Sequence, residues 1–222
     1  MKKEIREHDL IKKINNCIFI NEKINDNYPV KIKKLKLLYP ESGQKENNIV
    51  DILNTSPYFL KFSNELVYEC DRTLNHYLME YGIEELDKND IKVYKKVKKL
   101  TNKGQYNNIA LTKVRGQGYA VKANTRIKKN TLICEYTGDV LTFKEFCLRG
   151  IKNDSIMDLT YTPQSETSLI ICPYKHSNIA RFISGINNFT KFKKQINVFS
   201  AKVSINGVLH ILLIAKKDIE KK

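Results

Sequence analysis

The sequence has no apolar run long enough to cross a bilayer, and its first residues, MKKEIREHDL, lack the apolar stretch of a secretory signal. We therefore expect an intracellular protein. Its 222 residues are enough for one sizeable core with a small helical annex. The hydrophobic share of 41% is that of a globular chain and not of a disordered one.

Cysteine is scarce and scattered, with an odd total of 5. No two cysteines have the spacing of a metal knuckle, and a reducing compartment would keep them as thiols. We expect neither a zinc site nor a disulfide, and we interpret the cysteines as buried apolar side chains. They are Cys17, Cys70, Cys134, Cys147 and Cys172.

Positive charge is in excess, with a formal net charge of +15. The densest basic stretch is 92–100, where a helix would align Val93, Val97 and Leu100 and surround them with lysines. One interpretation is the solvated face of an amphipathic helix. The other is a Lys-rich face that makes non-specific contacts with DNA phosphates.

The first half of the chain is predicted to be mainly helical. Residues 1–50 form a poorly defined extension, with a helix near the start and then a linker. Residues 51–107 form a helical region that ends at the stop signal Gly104. Its predicted helices are 51–54, 64–82 and 84–100.

From residue 108 to 222 the sequence predicts short strands. The clearest feature is a hairpin of 198–205 and 208–215, because the Asn206-Gly207 pair between them suits a type I′ turn. The remaining elements are predicted from alternating or β-rich runs and their turn residues. They are strands at 110–114, 119–123 and 131–136 (ending at Gly138), a helix at 141–148 closed by Gly150, and strands at 155–161 and 168–172 (ending at Pro173). The fold class is mainly β with helices (α+β), with several small sheets.

Three segments in fixed order carry a resemblance. They are Gly116-Gln117-Gly118-Tyr119-Ala120-Val121 with the following 127–140, then 177–188, then 212–219. Each alone is weak, since a lone GxG is more often a turn than a ligand loop. Together they resemble the SET domain of lysine methyltransferases from about residue 110 onward.

The second segment narrows the resemblance. Most SET domains have an Asn-His-Ser-Cys run where this chain has Ser184-Gly185-Ile186-Asn187. That substitution is similar to the plant trithorax-related enzymes that monomethylate lysine-27 of histone H3. Further matching residues are Phe62-Ser63-Asn64-Glu65-Leu66, Arg72, Asn75, Asp154-Ser155, Met157, Cys172-Pro173 and Ser177-Asn178.

The resemblance implies a set of site residues. S-adenosyl-L-methionine would be the methyl donor, with S-adenosyl-L-homocysteine as product, and Tyr136 would be the catalytic, orienting tyrosine. The implied cofactor-binding residues are Gln117, Gly118, Tyr119, Arg181, Phe182, Ser184, Gly185, Asn187 and Asn188. The implied substrate-binding residues, beside a histone H3 tail, are Ser155, Met157, Leu159 and Tyr161. A monomeric nuclear chromatin enzyme acting on the nucleosome is expected.

The family pattern continues past Asp218-Ile219 into a Gly-Glu-containing turn and a Tyr-Asp-Tyr-like segment with the main catalytic tyrosine. The present sequence ends at Lys222. We therefore expect the chain as given to bind cofactor weakly and to turn over poorly.

Other functions stay open at this point. One alternative is a SET methyltransferase that acts on a different histone lysine or on a non-histone lysine. Alternatively, the chain is an inactive SET-like module that binds chromatin. A plain nucleic-acid-binding protein is supported by net charge alone.

Overall fold

A computed structural model describes most of the chain from residue 61 onward. The described residues are 61–69, 85–106, 108–114, 118–151, 153, 155–160, 168–185 and 196–222. The predicted helix at 51–54, the extension 1–50, Cys17 and Cys70 lie outside them. No helix in these ranges combines the length and the apolarity that a membrane crossing requires.

The predicted hairpin is confirmed residue by residue. Strands β9 (Val198–Ile205) and β10 (Val208–Ala215) pair antiparallel, from Val208 opposite Ile205 to Ala215 opposite Val198. Asn206 and Gly207 have φ angles of 53° and 76°, the left-handed values that a type I′ turn requires at both central positions. The other edge of β10 pairs with β5 (Leu132–Glu135), completing a three-stranded sheet.

Helix α1 (Lys88–Thr101) covers one face of this sheet. Asp87 caps the helix by accepting hydrogen bonds from the backbone N–H groups of Asn89 and Asp90. The helix begins later than the predicted residue 84, because Leu86 instead donates its N–H to the Ser204 carbonyl at 3.0 Å. The predicted apolar stripe is also shifted: Tyr94 and Val97 are buried, whereas Val93 and Leu100 lie at its partly exposed edges.

The second large sheet has β8 (Leu169–Ser177) at its centre. One edge of β8 pairs with β6 (Gly138–Thr142), and the other pairs with β1 (Lys61–Phe62) and β7 (Met157–Asp158). Strand β2 (Val67–Tyr68) extends the sheet beyond β6.

The predicted helix at 64–82 is wrong over its described part, since residues 64–69 form a turn and the strand β2. These residues are held by the sheet: Ser63 donates to the Ser177 carbonyl, and Glu69 donates to the Val140 carbonyl. Partners more than seventy residues away therefore override the local preference.

The prediction that a strand ends at Pro173 is also wrong, because β8 continues to Ser177. The register on β6 jumps there, from Asp139 opposite Cys172 to Gly138 opposite Ser177. The hydrogen-bond ladder thus skips Pro173, which has no backbone N–H to donate. A Cβ on Gly138 would lie 3.0 Å from Pro173 Cα, so only glycine fits this approach without a shift.

The remaining elements are shorter or differently bounded than predicted. The predicted strands 110–114 and 119–123 are confirmed, each one residue longer, as β3 (Ile109–Val114) and β4 (Gly118–Ala123), which pair antiparallel. Helix α2 (Phe143–Leu148) begins two residues later than predicted, because Thr142 forms a capping box with Glu145. The predicted strand 155–161 is reduced to the two residues of β7. The class, strands in several small sheets with few helices, is confirmed.

Candidate functional site

Strand β4 and a short 3₁₀ helix, η1 (Ile179–Phe182), bring the first two sequence motifs together. Tyr119 and Phe182 meet edge to face, with ring centroids 6.1 Å apart and an interplanar angle of 71°. Tyr119 keeps 38% of its surface exposed, and Phe182 is half-buried. The pair therefore forms an aromatic wall that is open to solvent on one side.

Next to Phe182 in the chain are one hydrogen-bonded residue, Arg181, and two exposed residues, Ser184 and Gly185. Arg181 is half-buried and donates a hydrogen bond from its guanidinium to the Pro173 carbonyl. Ser184 and Gly185 follow on the surface, and a Cβ on Gly185 would meet nothing within 4 Å. Packing against the described residues thus gives no reason for glycine at 185.

Tyr136 lies between β5 and β6 with 6% of its surface exposed. Its backbone N–H donates to the Ile211 carbonyl at 2.8 Å, and its hydroxyl donates to the Ser155 carbonyl. The tyrosine is therefore a core side chain whose polar end reaches the segment 155–160. The catalytic role remains a prediction.

The predicted substrate-binding segment is only partly accessible. Ser155 and Met157 are half-buried, but Leu159 is 0% exposed and packs in the main core. The core therefore encloses the Leu159 side chain, and its substrate-binding role remains a prediction that would involve its backbone. Within the segment, β7 pairs antiparallel with β8, with Met157 opposite Ile171 and Asp158 opposite Ile170.

Two half-buried ionisable residues, Lys202 and Asp158, lie at this segment. Lys202 donates its ammonium to the Thr160 carbonyl at 2.8 Å. Burial lowers the pKa of Lys202 to about 8, against an opposing effect of the Asp158 carboxylate. Burial likewise raises the pKa of Asp158, and the nearby Lys202 only partly offsets this.

Sequence analysis missed a set of buried polar residues beneath the site. Glu135 precedes Tyr136, has 6% of its surface exposed, and accepts hydrogen bonds from Tyr94 Oη at 2.9 Å and Lys98 Nζ at 2.6 Å. Its other oxygen lies 2.7 Å from His210 Nδ1. No local pattern marks these residues, because Lys98 belongs to a lysine-rich helix and Glu135 interrupts an apolar strand.

The environment of Glu135 keeps it ionised. Burial alone raises the pKa of this carboxyl, but the hydrogen bond and charge of His210 and the charge of Lys98 outweigh it, so the pKa is lowered. Glu135 is therefore a fixed hydrogen-bond acceptor within the cluster and not a proton donor at neutral pH.

Four predicted site residues lie outside the described ranges: Gln117, Tyr161, Asn187 and Asn188. Gly118 is described through its backbone alone, as the first residue of β4 opposite Val114. Among the described residues no group of His, Cys, Asp or Glu side chains has the arrangement of a metal site.

The described residues fit the implied cofactor. The exposed edge of the Tyr119 and Phe182 pair offers aromatic surface for an adenine ring or a sulfonium, both of which aromatic faces attract. Arg181 and the exposed backbone at 184–185 lie next to it and offer polar groups for a charged tail. The three buried thiols, Cys134, Cys147 and Cys172, lie away from solvent, so none is a nucleophile in this site.

Comparisons with known proteins agree with this geometry. A SET-domain family profile matches residues 118–222. The chain is 37% identical over 168 residues to the histone-lysine N-methyltransferase ATXR6 of Arabidopsis thaliana, covering 72% of this chain and 47% of that protein. It is 35% identical over 167 residues to a probable histone-lysine N-methyltransferase ATXR5 of Ricinus communis, covering 73% of this chain and 44% of that protein. The chain thus spans just under half the length of these relatives.

A solved structure extends the likeness to three dimensions. ATXR5 in complex with histone H3.1 mono-methylated on R26 matches with a TM-score of 0.68 and 34% identity, covering 78% of this chain and 81% of that one. Similar sequence, a matching family profile and a shared fold lead to one conclusion: this chain belongs to the SET-domain family of histone-lysine methyltransferases.

Proposed function

We propose that this protein transfers a methyl group from S-adenosyl-L-methionine to a histone lysine, and that the reaction is monomethylation of lysine-27 of histone H3. The observation that carries the proposal is the contact between Tyr119 and Phe182, which joins the two motifs assigned to the cofactor. The ATXR5 and ATXR6 relatives, and the ATXR5 complex with a histone H3 peptide, support the substrate. The proposal places the protein in the nucleus as a monomer.

The chemistry requires a neutral amine. S-adenosyl-L-methionine, when bound, would supply a methyl group on a positively charged sulfur: the lysine nitrogen would form the new N–C bond as the C–S bond breaks, and neutral S-adenosyl-L-homocysteine would be the leaving group. A free lysine has a pKa of ~10.4 and is protonated at neutral pH, so the site must favour the neutral form and aim it. Neutral groups suit this task, because they orient the amine without adding charge beside it.

Tyr136 is the side chain that we assign to this orienting role. Its phenol is neutral, and its hydrogen bond to the Ser155 carbonyl fixes it at the segment that we assign to the histone tail. The buried ring restricts the position of the hydroxyl, since core packing leaves it few rotamers. A hydroxyl fixed in this way supports the catalytic assignment.

The tail is proposed to bind along β7. A peptide that adds as a strand pairs with the backbone of an existing strand, and β7 is a branch of its sheet that pairs with β8. Ser155 and Met157 are half-buried there and were implied by the resemblance, so they are the proposed determinants of sequence preference. The Leu159 side chain is enclosed in the core and is left out of this set.

The test is a methylation assay on the full-length protein. Recombinant nucleosomes and histone H3 are incubated with labelled S-adenosyl-L-methionine, and mass spectrometry identifies the modified lysine and the number of methyl groups. The expected product is monomethyl lysine-27 of histone H3. Methylation confined to another histone position or to non-histone proteins would overturn the substrate, and absence of both methylation and S-adenosyl-L-homocysteine binding would favour an inactive chromatin-binding module.

A matched pair of substitutions tests Tyr136. Tyr136→Phe removes only the hydroxyl and is expected to lower kcat on the order of a hundredfold, as loss of orientation does, with little change in cofactor affinity. Tyr174→Phe is the control, because Tyr174 is 48% exposed on the surface of β8. An equal effect of both substitutions would remove Tyr136 from the mechanism.

A second, independent contact with DNA is proposed for the outer face of α1. Lys88, Lys92, Lys95 and Lys99 are exposed there, and no salt bridge joins any of them to a residue in the described ranges. Lys98 differs, since it points into the buried cluster. Unpaired cations at spacings of three and four residues form one stripe that complements a phosphate backbone.

Salt dependence tests the DNA contact. Replacing Lys92, Lys95 and Lys99 together by Gln is expected to reduce the slope of log affinity against log salt concentration by about 2–3, close to one counterion per phosphate contact. The same change at the exposed Lys216, Lys217 and Lys221 is the control and is expected to leave the slope nearly unchanged. Equal slopes for both triple variants would show that the stripe is only a solvated face.

A further inference from the structure

One fully buried amide lies between the two parts of the candidate site. Asn178 is 0% exposed and immediately precedes the 3₁₀ helix η1. Resemblance marks it only as part of a matching segment, and none of the roles assigned above uses it. A buried amide is costly to retain unless its polar atoms are paired, so its bonds indicate what it does.

Every polar atom of this amide has a partner. The Asn178 Oδ1 accepts a hydrogen bond from the Ala180 N–H at 3.0 Å, which caps η1. The Nδ2 donates to the Glu135 carbonyl at 2.8 Å and to the Asn64 Oδ1 at 2.8 Å. Both donors and the acceptor of one side chain are thus in use.

These bonds span the site. Ala180 lies two residues before Phe182, on the helix that carries the aromatic wall. Glu135 lies one residue before Tyr136, and the bond reaches its backbone, so it acts on the position of the chain itself. The side chain of Asn178 therefore ties the backbone beneath Tyr136 to the backbone beneath Phe182.

The third hydrogen bond, from Asn178 to Asn64, connects Asn178 to residues that precede the SET profile. Asn64 has 5% of its surface exposed; its Oδ1 also accepts from Tyr106 Oη at 2.9 Å, and its Nδ2 donates to the Thr101 carbonyl at the end of α1. Both Asn64 and Thr101 precede the matched residues 118–222. The segment before the SET profile thus holds Asn178 in place.

We propose that Asn178 is a positioning residue that sets the separation between the cofactor wall at Phe182 and the orienting phenol of Tyr136. The inference rests on the proposed function and adds to it a residue that touches neither cofactor nor substrate. A misplacement of about 1 Å between reacting groups is enough to slow an enzyme strongly, which gives a buried amide at this point a large effect on rate.

The first test is Asn178→Ser in the full-length protein. Serine still caps η1 through its hydroxyl, but it is too short to reach the Glu135 carbonyl and Asn64. Binding of S-adenosyl-L-homocysteine by calorimetry is expected to weaken by roughly tenfold, and kcat to fall further than cofactor affinity. Hydrogen exchange of the amides at 180–183 is expected to speed up even without cofactor.

Tyr106→Phe is the matched control. It removes the hydrogen bond to the same Asn64 oxygen and the bond between the Tyr106 hydroxyl and the Ile179 backbone, and it leaves both donations of Asn178 intact. A purely structural cluster would give both variants the same ratio of affinity loss to stability loss. The proposal expects Tyr106→Phe to lower the melting temperature while cofactor affinity, kcat and exchange at 180–183 stay near wild type.

A second variant decides the question if Asn178→Ser does not fold. Asn64→Ala removes one acceptor of the Asn178 amide and keeps the bond to the Glu135 carbonyl, so the same changes are expected at smaller size. Wild-type affinity and exchange in Asn64→Ala, or changes no larger than in Tyr106→Phe, would overturn the positioning role. Failure of the wild-type protein to bind S-adenosyl-L-homocysteine would instead contradict the proposed function, while the exchange measurement still reports on Asn178.

Discussion

The β9–β10 hairpin and the turn from β5 into β6 lie side by side but are built differently. Strand β10 sends Leu209, Ile211 and Leu213 into one core and Leu212 and Ile214 into another, in strict alternation. The turn from β5 into β6, with the residues packed on it, is instead held by buried polar groups. We call this region, defined by Asn64, Glu135, Asp139, His176 and Asn178, the polar junction.

Asp139 shows how the polar junction works. Its carboxylate has 2% of its surface exposed and accepts from the backbone N–H groups of Lys175 and His176, at 2.6 and 3.0 Å, and lies 2.6 Å from His176 Nδ1. These bonds replace the ladder that is lost where β8 passes Pro173. Hydrophobic burial is non-directional and supplies stability, whereas each bond of the junction fixes one position. The comparison predicts that damage to the hairpin destabilises the fold and that damage to the junction also alters the site.

The largest expected effect is that of Glu135→Ala in the junction. The substitution leaves the Lys98 ammonium, the Tyr94 hydroxyl and His210 without their shared acceptor, which is expected to lower the free energy of unfolding by roughly 3–5 kcal/mol. Urea denaturation measures it. The control is Glu65→Ala, because Glu65 pairs with the same Lys98 but is 65% exposed, so its loss is expected to stay within about 1 kcal/mol. Equal losses would contradict a buried, paired cluster.

The hairpin is tested by Leu212→Ala. Leu212 is 0% exposed, and removing its side chain is expected to lower the free energy of unfolding by about 3 kcal/mol through lost burial and a residual cavity. The affinity of the folded protein for S-adenosyl-L-homocysteine is expected to be unchanged. Val208→Ala on the same strand is the control, since Val208 is 37% exposed. A loss of cofactor affinity in Leu212→Ala would contradict the prediction that damage to the hairpin affects stability alone.

Gly138→Ala tests the close passage of β6 and β8. The added methyl group would lie 3.0 Å from the Pro173 backbone, so the strands must separate, and the expected loss of stability is about 1–3 kcal/mol. Gly185→Ala is the control for stability, because a Cβ there meets nothing within 4 Å. Thermal unfolding of the two variants side by side gives the answer, and an unchanged melting temperature for Gly138→Ala would contradict the described register.

The last expected effect is a pH dependence of stability at Lys202. Its folded pKa of about 8 lies below its ordinary value of 10.5, so between these values the unfolded chain binds more protons than the folded one. The contribution of Lys202 to stability therefore rises from pH 8 to 10.5. Subtracting the pH profile of Lys202→Met from that of the wild type isolates this rise from other titrating groups. A flat difference would mean that Lys202 is not buried as described.

The sequence predicts the hairpin better than the junction for a physical reason. Alternation along β10 and the Asn206-Gly207 pair are local signals, and both depend only on neighbouring residues. The continuation of β8 past Pro173 and the strand at Val67–Tyr68 depend on partners far away in the chain, so local preferences gave the wrong structure there. The stripe on α1 was misplaced because Tyr94 is drawn inward by Glu135, forty-one residues later.

The candidate site likewise contains residues that the resemblance identified and residues that depend on distant partners. Resemblance pointed to Tyr119, Tyr136 and Phe182, and the structure places Tyr119 against Phe182 and directs the Tyr136 hydroxyl to Ser155. The resemblance also implied Leu159, whose side chain is fully buried. A strand of two residues is too short for alternation to show which side chains face the core. Asn178 and Glu135 gave no local signal, since their partners are assembled only by the fold.

The most direct measurement of the central claim is ultraviolet cross-linking of radiolabelled S-adenosyl-L-methionine to the full-length protein, followed by peptide mapping. The joined surface of β4 and η1 predicts that the label resides on peptides containing Tyr119 or Phe182, and that excess S-adenosyl-L-homocysteine removes it. Specific labelling on the β9–β10 hairpin or the outer face of α1, with none on those two peptides, would contradict the cofactor pocket on which the assignment depends.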